Sequence, residues 1–262
     1  EKEQKHLLAF CKAQGISDLF VQIPYEAREA WIIDWNPAPF KKFNKSLNQA
    51  GIRIHALDGD PRFALREWHG RVLALVEEIG RFNQGVPPEE RFHGIRYDNE
   101  PYLLSHFGGI QKESILRQYL ELLDRIRPVT VKAGLEFGVD IPFWFDGVNE
   151  FFEPSAQVDG RPMSELIIDR VDNVGIMDYR TLAYGADGTI THAWEELRYA
   201  AKKGKKVFVG LETVRLPDET TYEYGETGGP PSLFLEEIDG GKVRLTLGKK
   251  GKGRELNVTR IL

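Results

Sequence analysis

The sequence predicts an α/β protein: a (β/α)8 TIM-type barrel that is incomplete at one or both ends, followed by a small antiparallel meander. Short apolar runs typical of strands alternate with segments of helical spacing. Acidic and aromatic residues follow nearly every predicted strand, and in a barrel those strand ends share one face. The chain has 262 residues, the usual length of one such barrel. We expect residues 1–216 to form the barrel and residues 217–262 to form the β-rich extension.

Six apolar runs predict the strands, and four segments predict connecting helices. The predicted strands cover residues 18–23, 52–57, 94–97, 136–145, 174–177 and 206–211. The predicted helices cover residues 3–13, 66–82, 112–134 and 191–203. A regular strand–helix order is typical of parallel strands joined by crossover helices. No glycine-rich nucleotide-binding motif follows any strand, which favours the barrel over a nucleotide-binding open sheet.

The two ends of the chain differ from an ordinary barrel. A predicted helix precedes the first strand, so the strand that would come before that helix is missing, and the six strands would be the second to the seventh. Residue 1 is Glu rather than Met, which also leads us to expect a trimmed chain. After residue 216, runs at 232–236, 242–247 and 255–261 are separated by glycine-rich turns and predict the antiparallel meander.

Charge and composition argue against several classes of partner. The formal net charge is −5 and no basic stripe is present, so we expect no nucleic-acid partner. No apolar run approaches the roughly 18 residues of a membrane span, so we expect no membrane partner. The single cysteine, Cys11, excludes an internal disulfide. We predict no cofactor, and no metal because no H-x-H pattern opens the first strand. Oligomeric state and localisation do not follow from the sequence.

Two carboxylates, Asp98 and Glu100, come directly after the third predicted strand. In an extended strand, residues two apart point to the same face, so both acids are expected on one side of the strand end. Crowded carboxylates push their pKa values apart, and one then holds a proton while the other stays charged. That pair suits hydrolysis of a glycosidic bond. The alternative is that Asp98 caps the next turn and Glu100 is a solvated acid.

Residues 93–100 resemble the D-G-x-D-x-D-x-E strand of the family 18 chitinase-like proteins. Gly94, Asp98 and Glu100 match that pattern, whereas His93 and Arg96 replace its two earlier acids. This resemblance implies that Glu100 is the general acid. It also implies that Asp98 orients the N-acetyl group of the substrate and stabilises the developing positive charge.

A second stretch resembles the sixth strand of the same family, which ends in Met-x-Tyr. It covers residues 171–179 and ends in Met177-Asp178-Tyr179. The resemblance implies that Tyr179 hydrogen-bonds the acetamide of the substrate, which itself replaces an enzyme nucleophile.

The same acid also resembles the acid/base residue of the clan A glycosidases. Asn99-Glu100-Pro101 is similar to the end of the fourth strand of that clan, and residues 210–213, which contain Glu212, are similar to the end of the seventh. This resemblance implies that Glu100 is the acid/base and Glu212 the nucleophile of a retaining enzyme. Retention needs carboxyls about 5–5.5 Å apart. The sequence leaves the two mechanisms open.

We therefore predict a glycoside hydrolase that acts on an oligo- or polysaccharide. The alternative is a catalytically inactive carbohydrate-binding barrel protein, because His93 and Arg96 depart from the family 18 pattern. Aromatic rings near the active face, of which Trp144 is the best placed, would stack on sugar rings. The residues predicted to bind substrate are Tyr25, Asp58, Asp60, Asn99, Tyr102, Trp144, Asp146 and Asp178.

Overall fold

The structure is a computed structural model that describes residues 2–27, 32–108, 110–147, 156–180, 182–185, 188–211, 233–238, 242–247 and 254–258. The chain divides into two compact units, Glu1–Thr213 and Val214–Leu262.

Six parallel strands form one sheet in the first unit, and their order in the sheet follows their order in the chain. The sheet curls into a half-barrel, so that Phe20 and Phe208 from its two edge strands meet with ring centroids 5.6 Å apart. The strands are β1 (Asp18–Gln22), β2 (Arg53–Asp58), β3 (Gly94–Tyr97), β4 (Glu136–Pro142), β5 (Asn173–Met177) and β6 (Lys206–Gly210).

Six α-helices of six or more residues accompany these strands within the described residues, besides one short helical turn at Thr189–His192. Along α3, Val72, Leu75, Val76 and Ile79 are fully buried, the spacing of one apolar helix face. No helix among the described residues is long and apolar enough to cross a membrane. The helices are α1 (Lys2–Gln14), α2 (Ala38–Gln49), α3 (His69–Gln84), α4 (Gln111–Ala133), α5 (Met163–Ile168) and α6 (Trp194–Lys203).

Alternation along the strands separates an apolar face from a polar one. On β4, Phe137, Val139 and Ile141 are fully buried in the hydrophobic core. Glu136 and Asp140 alternate with them and therefore face the other side of the sheet, the concave interior. The amino-terminal end of this interior holds charged pairs, including an Arg53–Glu136 ion pair and a 3.0 Å contact between Asp18 Oδ1 and His55 Nε2.

All six predicted strands are confirmed, most with ends shifted by one or two residues. The fourth was predicted to reach residue 145, but β4 ends at Pro142 and Phe143–Asp146 form a 3-10 turn. The described residues form a half-barrel of six strands and not a closed barrel. The sequence analysis missed α2, α5 and a short hairpin between Tyr25–Ala27 and Ile33–Trp35.

The second unit contains an antiparallel three-stranded meander, as the sequence predicts. Its strands are β7 (Leu233–Ile238), β8 (Lys242–Leu247) and β9 (Arg254–Val258), with β8 in the centre. The registers place Leu235 opposite Leu245, and Leu245 opposite Leu256.

Candidate active site

Asp98 lies at the carboxyl end of β3. Its backbone N–H donates to the carbonyl oxygen of Asp58 at 2.9 Å, so the residue stays attached to β2 after β3 has ended. Gly59 packs against it so closely that a Cβ at residue 59 would lie 1.9 Å from the Asp98 carbonyl oxygen. Glu100 has φ 40°, a left-handed conformation. The strand rule that we used to place both acids on one face therefore does not extend to Glu100.

The Glu100 carboxylate is held by an aromatic side chain. The hydroxyl of Tyr102 donates a hydrogen bond to Oε2 of Glu100. The Tyr102 ring packs edge-on against Trp144, with centroids 5.2 Å apart. Burial and the neighbouring carboxylate raise the pKa of the Tyr102 hydroxyl, so this group keeps its proton and acts as a donor. Glu100, Tyr102 and Trp144 thus form one contiguous cluster.

Asp98 has an unusually high pKa for a carboxyl group. Burial, followed by the negative charges of Asp140 and Glu100, raises its pKa to about 7, and Arg96 partly opposes that shift. The Asp98 carboxyl therefore titrates near neutral pH, well above the ordinary range of an aspartate. A carboxyl group in this state can donate or accept a proton during a reaction near neutral pH.

A cavity of about 210 Å³ opens beside Asp98 on the concave side of the sheet. Its polar lining contains both acidic and basic side chains, and its apolar lining includes two phenyl rings. Glu100 is not part of this lining. The residues that give the cavity its chemistry are Arg96, Asp98, Asp140, Tyr179, Phe20 and Phe208.

Arg96 and Asp140 form a partly buried ion pair on the cavity wall that the sequence analysis missed. Arg96 Nη1 lies 2.5 Å from Asp140 Oδ1, and Nη2 donates to the side-chain oxygen of Asn173. A Cβ at Gly175 would lie 2.1 Å from Asp140 Oδ1, so this pair needs a glycine there. Burial raises the pKa of Asp140 and Arg96 opposes that shift. Residues 136, 138 and 140 alternate with the buried apolar residues of β4 and therefore face inward. This alternation is the sequence signal that could have identified Asp140 as a site residue.

Tyr25 and Asp58 form a second polar cluster next to the first. The Tyr25 hydroxyl donates to Asp58 Oδ2 at 2.7 Å, and Arg71 Nε donates to the Tyr25 oxygen at 3.0 Å. Burial raises the pKa of Asp58. The Asp60 carboxylate caps the turn Pro61–Ala64 and accepts hydrogen bonds from the backbone N–H and guanidinium of Arg62. Its substrate-binding role stays a prediction.

Two further acids are Asp178, directly after β5, and Glu196, on α6. Asp178 is completely buried, with Arg180 Nε 4.0 Å from its Oδ1, whereas Tyr179 is half exposed. Glu196 on α6 is also completely buried, and burial, then Asp146, then its neighbours, raise its pKa to about 9. No group of three or more His, Cys, Asp or Glu side chains in the described ranges is arranged to hold a metal ion.

The structure thus brings together only part of the predicted site. Asp98 and Tyr179 share the cavity, and Glu100, Tyr102 and Trp144 form the adjoining cluster. Asn99 is completely buried. The predicted nucleophile, Glu212, lies outside the described residues.

Comparison with solved structures identifies the fold. A chitinase from Chromobacterium violaceum is similar over 95% of this chain and 80% of its own, with 14% identity and a TM-score of 0.53. The C-terminal domain of a putative chitinase from Desulfitobacterium hafniense is similar over 91% and 76%, with 10% identity and a TM-score of 0.51. The spore cortex-lytic enzyme SleL of Bacillus megaterium is similar over 96% and 60%, with 12% identity and a TM-score of 0.51.

These neighbours share the fold of chitinase-like glycoside hydrolases with this chain. At 10–14% identity the likeness concerns the fold and does not extend to particular motifs. No protein-family model matches the sequence, and no curated protein matches it either.

Proposed function

We propose that this chain is a glycoside hydrolase that acts on an oligo- or polysaccharide, with Glu100 as its general acid. One observation carries the proposal: Asp98 and Glu100 follow the third strand of a chitinase-like parallel sheet, at the carboxyl end where such folds hold their active sites. The bond from Tyr102 to Glu100 and the cavity beside Asp98 support it.

The same proposal assigns the six strands of the sheet to positions in an eight-stranded barrel. If β1 is the second barrel strand, β3 becomes the fourth and β5 becomes the sixth. Asn99-Glu100-Pro101 then follows the fourth strand, as in the clan A glycosidases that the sequence resembles, and Met177-Asp178-Tyr179 ends the sixth, as in the family 18 proteins that it also resembles.

Substrate-assisted hydrolysis is the mechanism that the described residues support best. Glu100 gives its proton to the glycosidic oxygen as the bond from that oxygen to C1 breaks. The acetamide oxygen of the sugar attacks C1, while ionised Asp98 balances the positive charge and Tyr179 hydrogen-bonds the acetamide. Water then attacks C1, the bond between C1 and the acetamide oxygen breaks, and the proton that the water loses returns to Glu100. Asp98 and Tyr179 line one cavity, which supports their joint action on one sugar.

The retaining mechanism with Glu212 as nucleophile is the second form of the proposal. It shares Glu100 as acid/base and differs in forming a covalent bond between C1 and the Glu212 carboxylate. Its support is the sequence resemblance to the clan A glycosidases, since residue 212 lies outside the described residues.

A catalytically inactive carbohydrate-binding protein is the second candidate function. Arg96 favours it, because this residue occupies an acidic position of the family 18 pattern and is paired with Asp140 inside the cavity. His93, at the other altered position, accepts a hydrogen bond from the backbone of Ile54 at 3.3 Å. Both replacements therefore have structural partners in the wall of the half-barrel.

Turnover on a panel of oligosaccharides, including oligomers of N-acetylglucosamine, tests the proposal. The Glu100→Gln variant keeps the shape of the side chain and removes its titratable proton. General acid catalysis contributes about 10²–10⁴-fold, so we expect a loss of that size. Glu77→Gln, on the exposed face of α3, is the matched control and should keep full turnover. Unchanged turnover in Glu100→Gln would remove Glu100 from the mechanism. Saccharide binding without turnover by the wild type would favour the binding protein.

A further inference from the structure

Asp98 and Asp140 occupy neighbouring positions on the concave wall of the half-barrel. β3 and β4 pair in parallel with Arg96 opposite Gly138, so the next inward positions are Asp98 and Asp140. Both residues line the same cavity. Neighbouring parallel strands lie about 4.8 Å apart, so the two residues are adjacent on this wall.

The guanidinium of Arg96 faces both carboxyl groups, but of the two it hydrogen-bonds Asp140. Arg96 Nη1 donates to Asp140 Oδ1 at 2.5 Å, and its other amino group donates to Asn173. The Arg96 side chain is only 4% exposed and lies over the ring of Phe20 at 4.3 Å. Packing on this ring and the two bonds fix the cation on the Asp140 side. Asp98 Oδ1 is buried with no hydrogen-bond partner among the described residues.

The other charged and titratable groups around Asp98 do not compensate its charge. Glu100 is acidic, and the phenols contribute only neutral groups near pH 7. Burial is the largest cause of the raised pKa of Asp98, followed by Asp140 and then Glu100. The groups that face Asp98 are Asp140 on β4, Arg96 on β3, Glu100 and Tyr102 after β3, Tyr119 on α4 and Tyr179 after β5.

We propose that Asp140 is a positioning residue that acts through Asp98: its ionised carboxylate, fixed by Arg96, keeps a proton on Asp98 in the free protein. The acid that neighbours Asp98 thus lies on β4, while residue 96 of β3 supplies the cation. The inference rests on the proposed function where it concerns turnover, because Asp98 must lose its proton to balance positive charge on the sugar. The acid limb of kcat/KM then follows the ionisation of Asp98.

Carboxyl ¹³C NMR titration of the folded protein tests this inference without a substrate. In the wild type, Asp98 should titrate near pH 7, and the Asp140 signal should respond in the same pH range. Asp140→Asn removes the neighbouring charge, so the Asp98 midpoint should move to lower pH. Arg96→Met removes the guanidinium that faces both carboxyls, so the midpoint should move to higher pH. A variant that merely admits water would lower the midpoint in both cases.

A control variant separates this effect from the general loss of an ion pair. Asp172→Asn breaks the Arg127–Asp172 contact of 2.6 Å, which lies outside the cavity, and should leave the Asp98 midpoint unchanged. Thermal unfolding verifies that each variant is folded. If Asp140→Asn does not fold, the Asp140 signal of the wild type decides the question, because an Asp140 signal that does not respond at the Asp98 midpoint would overturn the inference. An Asp98 midpoint near 4 in the wild type, or an unmoved midpoint in folded Asp140→Asn, would overturn the inference.

Failure of this inference is distinguishable from failure of the proposed function. If Glu100→Gln abolishes turnover while Asp98 titrates normally, the glycosidase assignment stands and the role of Asp140 is wrong. If Asp98 behaves as expected while Glu100→Gln retains full turnover, the reverse holds. If both hold, the acid limb of the kcat/KM profile should move to lower pH in Asp140→Asn, in step with the NMR midpoint.

Discussion

The hydroxyl of Tyr102 donates a hydrogen bond to the Glu100 carboxylate, two residues earlier in the chain. The bond spans a left-handed residue and a 3-10 turn that starts at Pro101, so backbone geometry and side-chain bonding fix Glu100 together. Trp144 packs against the Tyr102 ring from the next strand end. The proposed acid is therefore positioned by the cluster and not by strand geometry.

Removing the Tyr102 hydroxyl should impair catalysis while the protein remains folded. A hydrogen bond to a charged group is worth about 1.5–3 kcal/mol, so we expect Tyr102→Phe to lower kcat/KM by roughly 10- to 100-fold. Tyr199→Phe is the matched control, because the hydroxyl of Tyr199, on α6, donates to Asp169 and accepts from Arg161, neither of which lines the cavity. Equal kcat/KM values for the Tyr102 variant and the wild type would exclude this contact from catalysis.

Chemical probes of the reaction should distinguish the two mechanisms. If Glu212 is the nucleophile, a 2-fluoro-glycoside will leave a covalent adduct on the peptide that contains residue 212, detected by mass spectrometry. If the acetamide of the substrate replaces that nucleophile, a thiazoline mimic will inhibit and no adduct will form. We expect the second result, since Asp98 and Tyr179 share the cavity. An adduct on Glu212 would contradict it.

Gly59 should be intolerant of any side chain. A Cβ there would lie 1.9 Å from the carbonyl oxygen of Asp98, so Gly59→Ala must push the segment that carries Asp98 and Glu100 out of place. We expect a loss of about 1–3 kcal/mol of unfolding free energy, together with reduced turnover. Gly85→Ala is the control, because its Cβ would meet only ordinary contacts at 3.5 Å or more. Denaturant titration and activity measure both effects.

The strands were predictable because each is a short apolar run that ends at polar residues. The errors arose where that signal is ambiguous. Phe143, Trp144 and Phe145 continue the apolar run of β4, although the chain turns after Pro142. The helix α2 was missed because its buried face carries only Phe40, Asn44 and Leu47, a weak apolar stripe.

The residues of the candidate site were also predictable where they belong to local sequence motifs, and were missed where they depend on contacts between distant parts of the chain. Asp98, Glu100 and Tyr179 belong to local motifs, so the sequence identified them as candidates. The Arg96–Asp140 pair joins two strands separated by α4, and its formation depends on strand register and on the open space at Gly175. A single sequence does not specify that register. Alternation along β4 places Asp140 on the inward face, but only the register shows that it meets Arg96.

Glu196 should make the stability of the protein depend on pH. Its pKa rises from an ordinary 4.5 to about 9, mainly through burial, so the folded state binds a proton that the unfolded state releases. A raised carboxyl pKa costs nothing below about pH 4.5 and becomes increasingly destabilising as pH rises towards 9. The cost grows by about 1.4 kcal/mol for each pH unit in that window.

Glu196→Gln removes this cost, because a glutamine has the shape of the protonated acid and cannot ionise. We expect the variant and the wild type to be nearly equal in stability near pH 4.5, and the variant to become progressively more stable towards pH 9. Unfolding free energies from denaturant titration across that range measure the difference, in which all other titrating groups cancel. Glu195→Gln changes a partly exposed neighbour on the same helix that is paired with Arg198, and it should show no such pH-dependent gain. A constant difference between Glu196→Gln and the wild type would mean that Glu196 is already ionised in the folded protein, which its complete burial beside Asp146 and Asp178 opposes.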